Sequence, residues 1–347
     1  MSSAPSGAAP LARQHSGAAP AHSHPCSVAL SAVGLDKHFA RKHAVKNATF
    51  SVSRGCVFGF LGPNGAGKTT ALRLVLGLLK ADAGDVRVLG LDPAKQPREV
   101  RLRTGYVSQL HSVYGDLAID ENLRFFGRLY GIGGRELDDC IAEQKARFRL
   151  EEHRGPVAGL GTGVQRRAAL ACALIHRPEL LILDEPTSGM DSLGRRNFWT
   201  FLGELTAGGT TIVITTHHLE EAEGCDDLAL MLDGEVRFQG SPMELKVRYA
   251  GPVLAVSCDP WEAGFTALRE AYGASLFGTA SHVDGLGATA ADVKALLARR
   301  DVRIVRVDER PPTMEDVFLR ATMGLPSQPV DPPLSVTEPP RAGTLLS

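Results

Sequence analysis

Nine consecutive residues, Gly62-Pro63-Asn64-Gly65-Ala66-Gly67-Lys68-Thr69-Thr70, constrain this chain more than any other stretch. They satisfy the phosphate-loop spacing G-x-x-x-x-G-K-[ST]. The apolar run Val57-Phe58-Gly59-Phe60-Leu61 precedes them and reads as a buried strand; Ala71 to Leu79 follows and reads as a helix. A glycine loop between strand and helix lets the backbone wrap closely around phosphate oxygens. Its N–H groups then form an anion nest at the positive end of the helix. In that setting Lys68 is placed to reach the β- and γ-phosphates of a nucleotide and the Thr69 hydroxyl to bind Mg²⁺.

A second segment supports the same chemistry. Leu180-Leu181-Ile182-Leu183-Asp184-Glu185-Pro186 reads as a buried strand that delivers Asp184 at its C-terminal end. That is the edge where open α/β sheets bind ligands. Asp184 would hold Mg²⁺, and Glu185 is placed to polarise an attacking water.

With these residues the chain resembles the nucleotide-binding subunits of ABC transporters, over roughly residues 28 to 245. Tyr106-Val107-Ser108-Gln109 resembles that family's glutamine loop, which also reaches Mg²⁺. Leu160-Gly161-Thr162-Gly163-Val164 stands in the place of its signature, Ser188-Gly189-Met190-Asp191 resembles the loop crossing its dimer interface, and Thr215-Thr216-His217 resembles its histidine switch. Phe39 lies where the family has an aromatic that stacks on adenine. Asn122-Leu123-Arg124-Phe125-Phe126 and Ala171 to Pro178 are similar to the type-two exporter branch of drug-resistance and YbhF-type ATPases. The resemblance implies an α/β cassette with a RecA-like core, an antiparallel β subdomain and a helical subdomain at about 110–165. It implies ATP and Mg²⁺ as ligands and catalytic roles for Glu185, His217 and Gln109. It also implies a head-to-tail dimer in which each ATP lies between one phosphate loop and the other cassette's signature.

The signature departs from the family. Gly161 replaces the usual serine, Thr162 the next glycine and Val164 the glutamine, while Gly163 remains. Losing a hydroxyl donor to a charged phosphate costs about 1.5–3 kcal/mol of binding. Two readings stay open. One is simple family drift; the other is an asymmetric pair in which a different cassette supplies an intact signature.

Bulk properties set the context. The chain has 347 residues, 44% hydrophobic and 22% charged, with a formal net charge of -1. These values suit a globular protein and do not point to nucleic-acid binding. No run approaches the roughly eighteen apolar residues that cross a bilayer, and the first residues lack a signal-peptide core. The expected partners are therefore a separate multi-spanning membrane subunit and a second ATPase cassette, with the chain peripheral on the cytoplasmic face of the inner membrane. The six cysteines (Cys26, Cys56, Cys140, Cys172, Cys225 and Cys258) show no zinc spacing and read as reduced thiols. His22-Ser23-His24-Pro25-Cys26 carries metal-type donors in a flexible segment and is only a weak metal signal.

The expected organisation is a disordered tail at 1–26, the ATPase domain at 27–245, a small α/β accessory domain at 252–323 and a second disordered tail at 324–347. The accessory domain reads as strand, helix, strand or hairpin, helix, strand and short helix. The leading functional expectation is an exporter's ATP-hydrolysing subunit. Its alternatives are a soluble ABC ATPase acting on ribosomes or nucleic acid, and a weakly hydrolysing regulatory cassette. The single cassette, without heptads or a basic linker, disfavours the former. Retention of Glu185 and His217 disfavours the latter.

Overall fold

The computed structural model describes residues 28–323 apart from 41, 110–111, 250–251 and 285–286. The expected tails and the His22–Cys26 tract lie outside the described residues. In chain order the elements are β1 (Val28–Phe39), β2 (Lys42–Ser53), β3 (Val57–Leu61), α1 (Lys68–Val75), β4 (Ala83–Val88), α2 (Pro97–Leu102), β5 (Thr104–Val107), α3 (Ile119–Leu129), α4 (Gly134–Phe148), α5 (Thr162–Leu174), β6 (Leu180–Asp184), α6 (Ser192–Ala207), β7 (Thr211–Thr216), α7 (Leu219–Ala222), β8 (Asp227–Leu232), β9 (Glu235–Gly240) and α8 (Pro242–Tyr249). After these come β10 (Val253–Asp259), α9 (Trp261–Tyr272), β11 (Ser275–Phe277), β12 (Ala280–Asp284), α10 (Ala290–Arg299), β13 (Arg303–Arg310) and α11 (Met314–Met323).

The central sheet has the order β5-β6-β7-β3-β8-β9, parallel except for β9, which returns against β8 through the turn Asp233-Gly234. Both turn residues have positive φ, 50° and 87°, as a two-residue hairpin of this hand requires. β3 and β6 are buried along their whole length, which is why they read as continuous apolar runs rather than alternating ones. Along β3 the side chains divide between two cores. Phe58 and Phe60 point toward the antiparallel sheet β2-β1-β4, where Phe50 meets Phe60 edge-on at 4.8 Å; Val57 and Leu61 point toward the helical side. Two-sided burial clamps the strand, and with it the loop that follows.

The helix after the phosphate loop differs from the sequence expectation. It starts at Lys68, three residues early, and ends at Val75 rather than Leu79. Gly77 takes φ 64° and the N–H groups of Leu78 and Leu79 both return to the Arg73 carbonyl, so the chain leaves the helix at a left-handed glycine. In the stretch expected to turn helical after Gln109, the helices are α3 and α4, which pack on one another and on α5.

Residues 253–310 form a four-stranded antiparallel sheet, β11-β12-β10-β13, with α9 and α10 over a separate small core. α11 does not join that core. Its Met314 and Val317 are buried in the main helical-side core, against α7 and α8. Arg310 marks the junction: it donates to both Asp316 carboxylate oxygens, at 2.9 and 3.0 Å, and its NH2 group lies 3.0 Å from His282 Nδ1.

Candidate nucleotide site

Strand order decides which residues meet. The C-terminal ends of β5, β6, β7 and β3 lie side by side, so the segments that follow them converge on one edge. β3 leads into the phosphate loop, β6 into Glu185, β7 into His217 and β5 into Ser108 and Gln109. The Gly62 N–H donates to the Thr216 carbonyl at 3.3 Å, stitching the loop to the end of β7.

The loop is held from behind by backbone. At Gly62 (φ 156°) an added Cβ would collide with the Met231 carbonyl, and at Gly67 (φ 108°) with the Ala44 carbonyl. Only glycine allows that approach. The Gly234 N–H donates to Ala66 O at 2.9 Å and the Lys42 ammonium to Gly65 O at 3.4 Å. Lys68 is 4% exposed and its ammonium donates to Gly62 O at 2.7 Å and Pro63 O at 3.0 Å. Burial pushes its pKa down, and the carboxylates of Glu185 and Asp184 oppose that.

Two carboxylates occupy distinct settings. Asp184 Oδ1 accepts from Thr215 Oγ1 at 2.6 Å and from Thr69 Oγ1 at 3.1 Å. A hydroxyl and a carboxylate oxygen so placed form a hard-oxygen pair that fits Mg²⁺. Glu185 adopts φ 50°, a left-handed backbone uncommon for a residue other than glycine and concentrated at functional sites. The Gln109 amide donates to Glu185 Oε2 at 3.0 Å, while His217 Nδ1 and Lys68 Nζ lie 3.5 and 3.9 Å from Oε1. The glutamine, histidine and lysine named from sequence therefore gather around one carboxylate.

Thr215 belongs to the tripeptide that resembles the histidine switch, but the sequence assigns it no role of its own. It bonds Asp184 through its hydroxyl hydrogen and accepts the Glu185 N–H at 2.9 Å. The available signal was only its place two residues before His217. The Gly234 turn between β8 and β9 likewise supports the phosphate loop from a distant part of the sequence.

The remaining candidates stand apart from this cluster. Phe39 ends β1, 42% exposed, with the Lys37 ammonium 5.5 Å from its ring centre. Ser188 and Gly189 lie in the turn after Glu185, with the Ser188 N–H donating to Glu185 O at 3.3 Å. Asp191 caps α6 by accepting the Gly194 N–H at 2.7 Å. In the signature, Gly161 is the N-cap of α5 with no side-chain cap, and Gly161, Thr162 and Gly163 are exposed. Leu160 and Val164 pack against the core, and the Gln165 amide donates to Leu160 O at 2.8 Å. The first turn of α5 thus presents backbone N–H groups to solvent.

A glycine loop closed by a lysine, beside a threonine and an aspartate on a parallel-sheet edge, defines a nucleoside-triphosphate-binding α/β protein. Residues 45–188 match the family model described as ABC transporter. The probable multidrug ABC transporter ATP-binding protein YbhF of Escherichia coli (strain K12) is 40% identical over 227 residues, 65% of this chain and 39% of YbhF. This chain therefore spans well under half of that relative's length. The Nod factor export ATP-binding protein I of Ralstonia nicotianae is 38% identical over 302 residues, 84% of this chain and 93% of the relative. A dimeric ATP-binding cassette in a post-hydrolysis state, bound to ADP and Pi, superposes with a TM-score of 0.55 at 25% identity, covering 61% of this chain and 98% of that one. The chain belongs to the ABC transporter family, as one of its ATPase cassettes. Among the described residues no helix is long and apolar enough to cross a membrane.

Proposed function

We propose that this chain binds ATP with Mg²⁺, hydrolyses it, and powers an exporter through a separate multi-spanning membrane subunit, as one half of a head-to-tail dimer on the cytoplasmic face of the membrane. The observation that carries the hydrolytic reading is the setting of Glu185. It follows the Asp184 strand, with Gln109, His217 and Lys68 around its oxygens. When bound, Mg²⁺ neutralises charge developing on the phosphate oxygens. Thr69 and Asp184 hold it. Lys68 binds the β- and γ-phosphates by exchanging its loop carbonyls for phosphate oxygens, a stronger charge-assisted contact. Glu185 accepts the proton of the attacking water, Gln109 orients the Glu185 carboxylate, and His217 stands at the γ-phosphate end. Phe39 supplies an apolar ring face for adenine. The export role is supported by the likeness to YbhF and to the Nod factor export protein. The dimer is supported by the dimeric cassette of similar fold.

The exposed start of α5 favours a second element. With Gly161 and Thr162 in place of a serine and a glycine, this chain's signature lacks the hydroxyl at the N-cap of α5 and offers a partner's ATP backbone donors and a hydroxyl displaced by one residue, on Thr162. An asymmetric pair, in which another cassette contributes a complete signature, accommodates that without loss at this chain's own phosphate loop.

Glu185→Gln keeps shape and removes proton acceptance. We expect ATP binding to persist while steady-state phosphate release falls by at least about a hundredfold, the usual scale of a positioned base. Native turnover in this variant removes Glu185 from the role. Purification of the native complex tests the transport role: a multi-spanning membrane subunit should accompany the chain, and a ribosome or nucleic acid in its place would favour the soluble reading.

A further inference from the structure

A second group of ligating side chains lies on the antiparallel sheet, apart from the carboxylates of the nucleotide site. Asp36 and His38 are two residues apart on β1, and His43 stands opposite His38 on β2. The pairing register is irregular around Lys37, and both imidazoles reach the one carboxylate. His43 Nε2 is 2.9 and 3.0 Å from the two oxygens of Asp36, and His38 Nδ1 is 3.1 Å from Oδ1. Asp36 is oriented from behind, because its Oδ2 also accepts the Asn47 N–H at 3.2 Å. Asp82 is the nearest further carboxylate, with Oδ2 3.8 Å from His38 Nδ1 while it binds the His38 N–H and the Lys37 ammonium.

We propose that Asp36, His38 and His43 form a binding site for a divalent transition metal of the zinc class. One ligand atom from each of the three residues falls within 4.8 Å of the other two. Two imidazoles with a carboxylate suit Zn²⁺, Co²⁺ or Ni²⁺, whereas Mg²⁺ and Ca²⁺ demand oxygen donors almost throughout. Ligand atoms around tetrahedral zinc, at bonds of about 2.0–2.1 Å, lie about 3.3 Å from one another. The two histidine–carboxylate spacings need to open by only a few tenths of an ångström, and the two imidazole nitrogens, within 4.8 Å of each other, must settle at the same separation. The two rings are stacked, 3.7 Å apart and 20° from parallel, so His38 tilts out of the stack for both lone pairs to converge. Its side chain is 57% exposed and has the room. The Asn47 N–H on Asp36 is the kind of outer hydrogen bond that fixes a ligand's direction. On binding, the metal replaces the protons that the imidazoles share with Asp36, and these leave to solvent.

An occupied site pins β1 to β2 at the pair next to Phe39 and Lys42, and Lys42 reaches the Gly65 carbonyl. Metal occupancy would then set how the hairpin meets a nucleotide. This consequence rests on the adenine reading of Phe39; the metal site itself does not.

The test titrates the full chain, free of nucleotide, with Co²⁺ and then with Zn²⁺ as competitor. His38→Ala, His43→Gln and Asp36→Asn are compared with a variant in which His22, His24 and Cys26 are all alanine, since that tract also carries metal-type donors. One equivalent of Co²⁺ should bind with a visible absorption band, displaced by Zn²⁺ and untouched by excess Mg²⁺. His38→Ala and His43→Gln should each weaken binding by about tenfold or more, and the triple-alanine variant should bind as the parent does. His38 is exposed, so its removal leaves folding intact, checked by the metal-free Tm. No saturable binding below about a millimolar, unchanged affinity in His38→Ala, or binding lost in the triple-alanine variant would each overturn the proposal.

Discussion

Thr215 holds both carboxylates of the nucleotide site at once: its hydroxyl donates to Asp184 Oδ1 at 2.6 Å and accepts the Glu185 N–H at 2.9 Å. The residue is fully buried at the end of β7. It registers Asp184 toward Thr69 and fixes the left-handed turn that aims Glu185 toward Gln109 and His217.

Thr215→Val preserves size and removes both hydrogen bonds. A buried N–H and a buried carboxylate oxygen would each lose a partner, at a combined cost of about 1–3 kcal/mol in stability. Turnover should fall more than nucleotide affinity, because the phosphate loop is anchored elsewhere. Thr215→Ser should restore both. Thermal unfolding and steady-state kinetics measure the two effects, and a valine variant equal to the parent in both would remove Thr215 from this role.

Lys68→Ala deletes the only side-chain cation inside the loop. Hydrogen bonds to charged groups contribute about 1.5–3 kcal/mol, so ATP affinity should drop by roughly ten- to a hundredfold. The circular-dichroism spectrum should stay native, since the glycines and the Met231 and Ala44 carbonyls still shape the loop. Equal affinity in a folded variant, read by nucleotide titration, would sink the phosphate-loop assignment.

Restoring the signature separates drift from asymmetry. Gly161→Ser with Thr162→Gly adds a side-chain hydroxyl at the N-cap of α5. In a homodimer it acts at both γ-phosphates, and kcat should rise where transition-state contacts count most. In a pair whose productive site uses the partner's signature, turnover should change little. A large gain in the purified chain alone would defeat the asymmetric account. No gain in an active homodimer would show that the exposed helix start suffices.

Acid stability offers a check on the scaffold. Glu179, just before β6, accepts from Arg103 Nε at 2.6 Å and NH2 at 2.9 Å and from Arg54 at 3.0 Å. The hydrogen bonds from Arg103, helped by Arg54 and opposed by partial burial, hold its carboxyl down at about 2, from an ordinary 4.5. A depressed pKa contributes stability that is full above 4.5 and is lost as pH falls from there through about 2. The group is well exposed, so the contribution is about 1 kcal/mol or less. Glu179→Gln should be slightly less stable at neutral pH and show a flatter stability curve between pH 4.5 and 2, measured by urea unfolding.

Local residue pattern alone determined the chemistry's principal parts. Gly62 to Thr70, the apolar run ending in Asp184, and Glu185 after it are written contiguously, because a loop that wraps phosphate and a strand that delivers an acid are local devices. The order of strands and helices along 253–323 was legible for the same reason, though not the core that its last helix joins. Three things came only with the tertiary structure. The grouping of Gln109 and His217 around Glu185 depends on strand order, which places the ends of β5, β6 and β7 side by side although 76 residues separate Gln109 from Glu185. The role of Thr215 depends on the two carboxylates standing beside it, which no property of a lone threonine in a β-run reveals. The attachment of α11 to the main core depends on where β13 ends and on Arg310 gripping Asp316; its amphipathic sequence specifies a buried face without saying which core receives it. Sequence encodes what a segment can offer, while hydrogen-bond partners and packing faces belong to pairs of segments and exist only once the chain has brought them together.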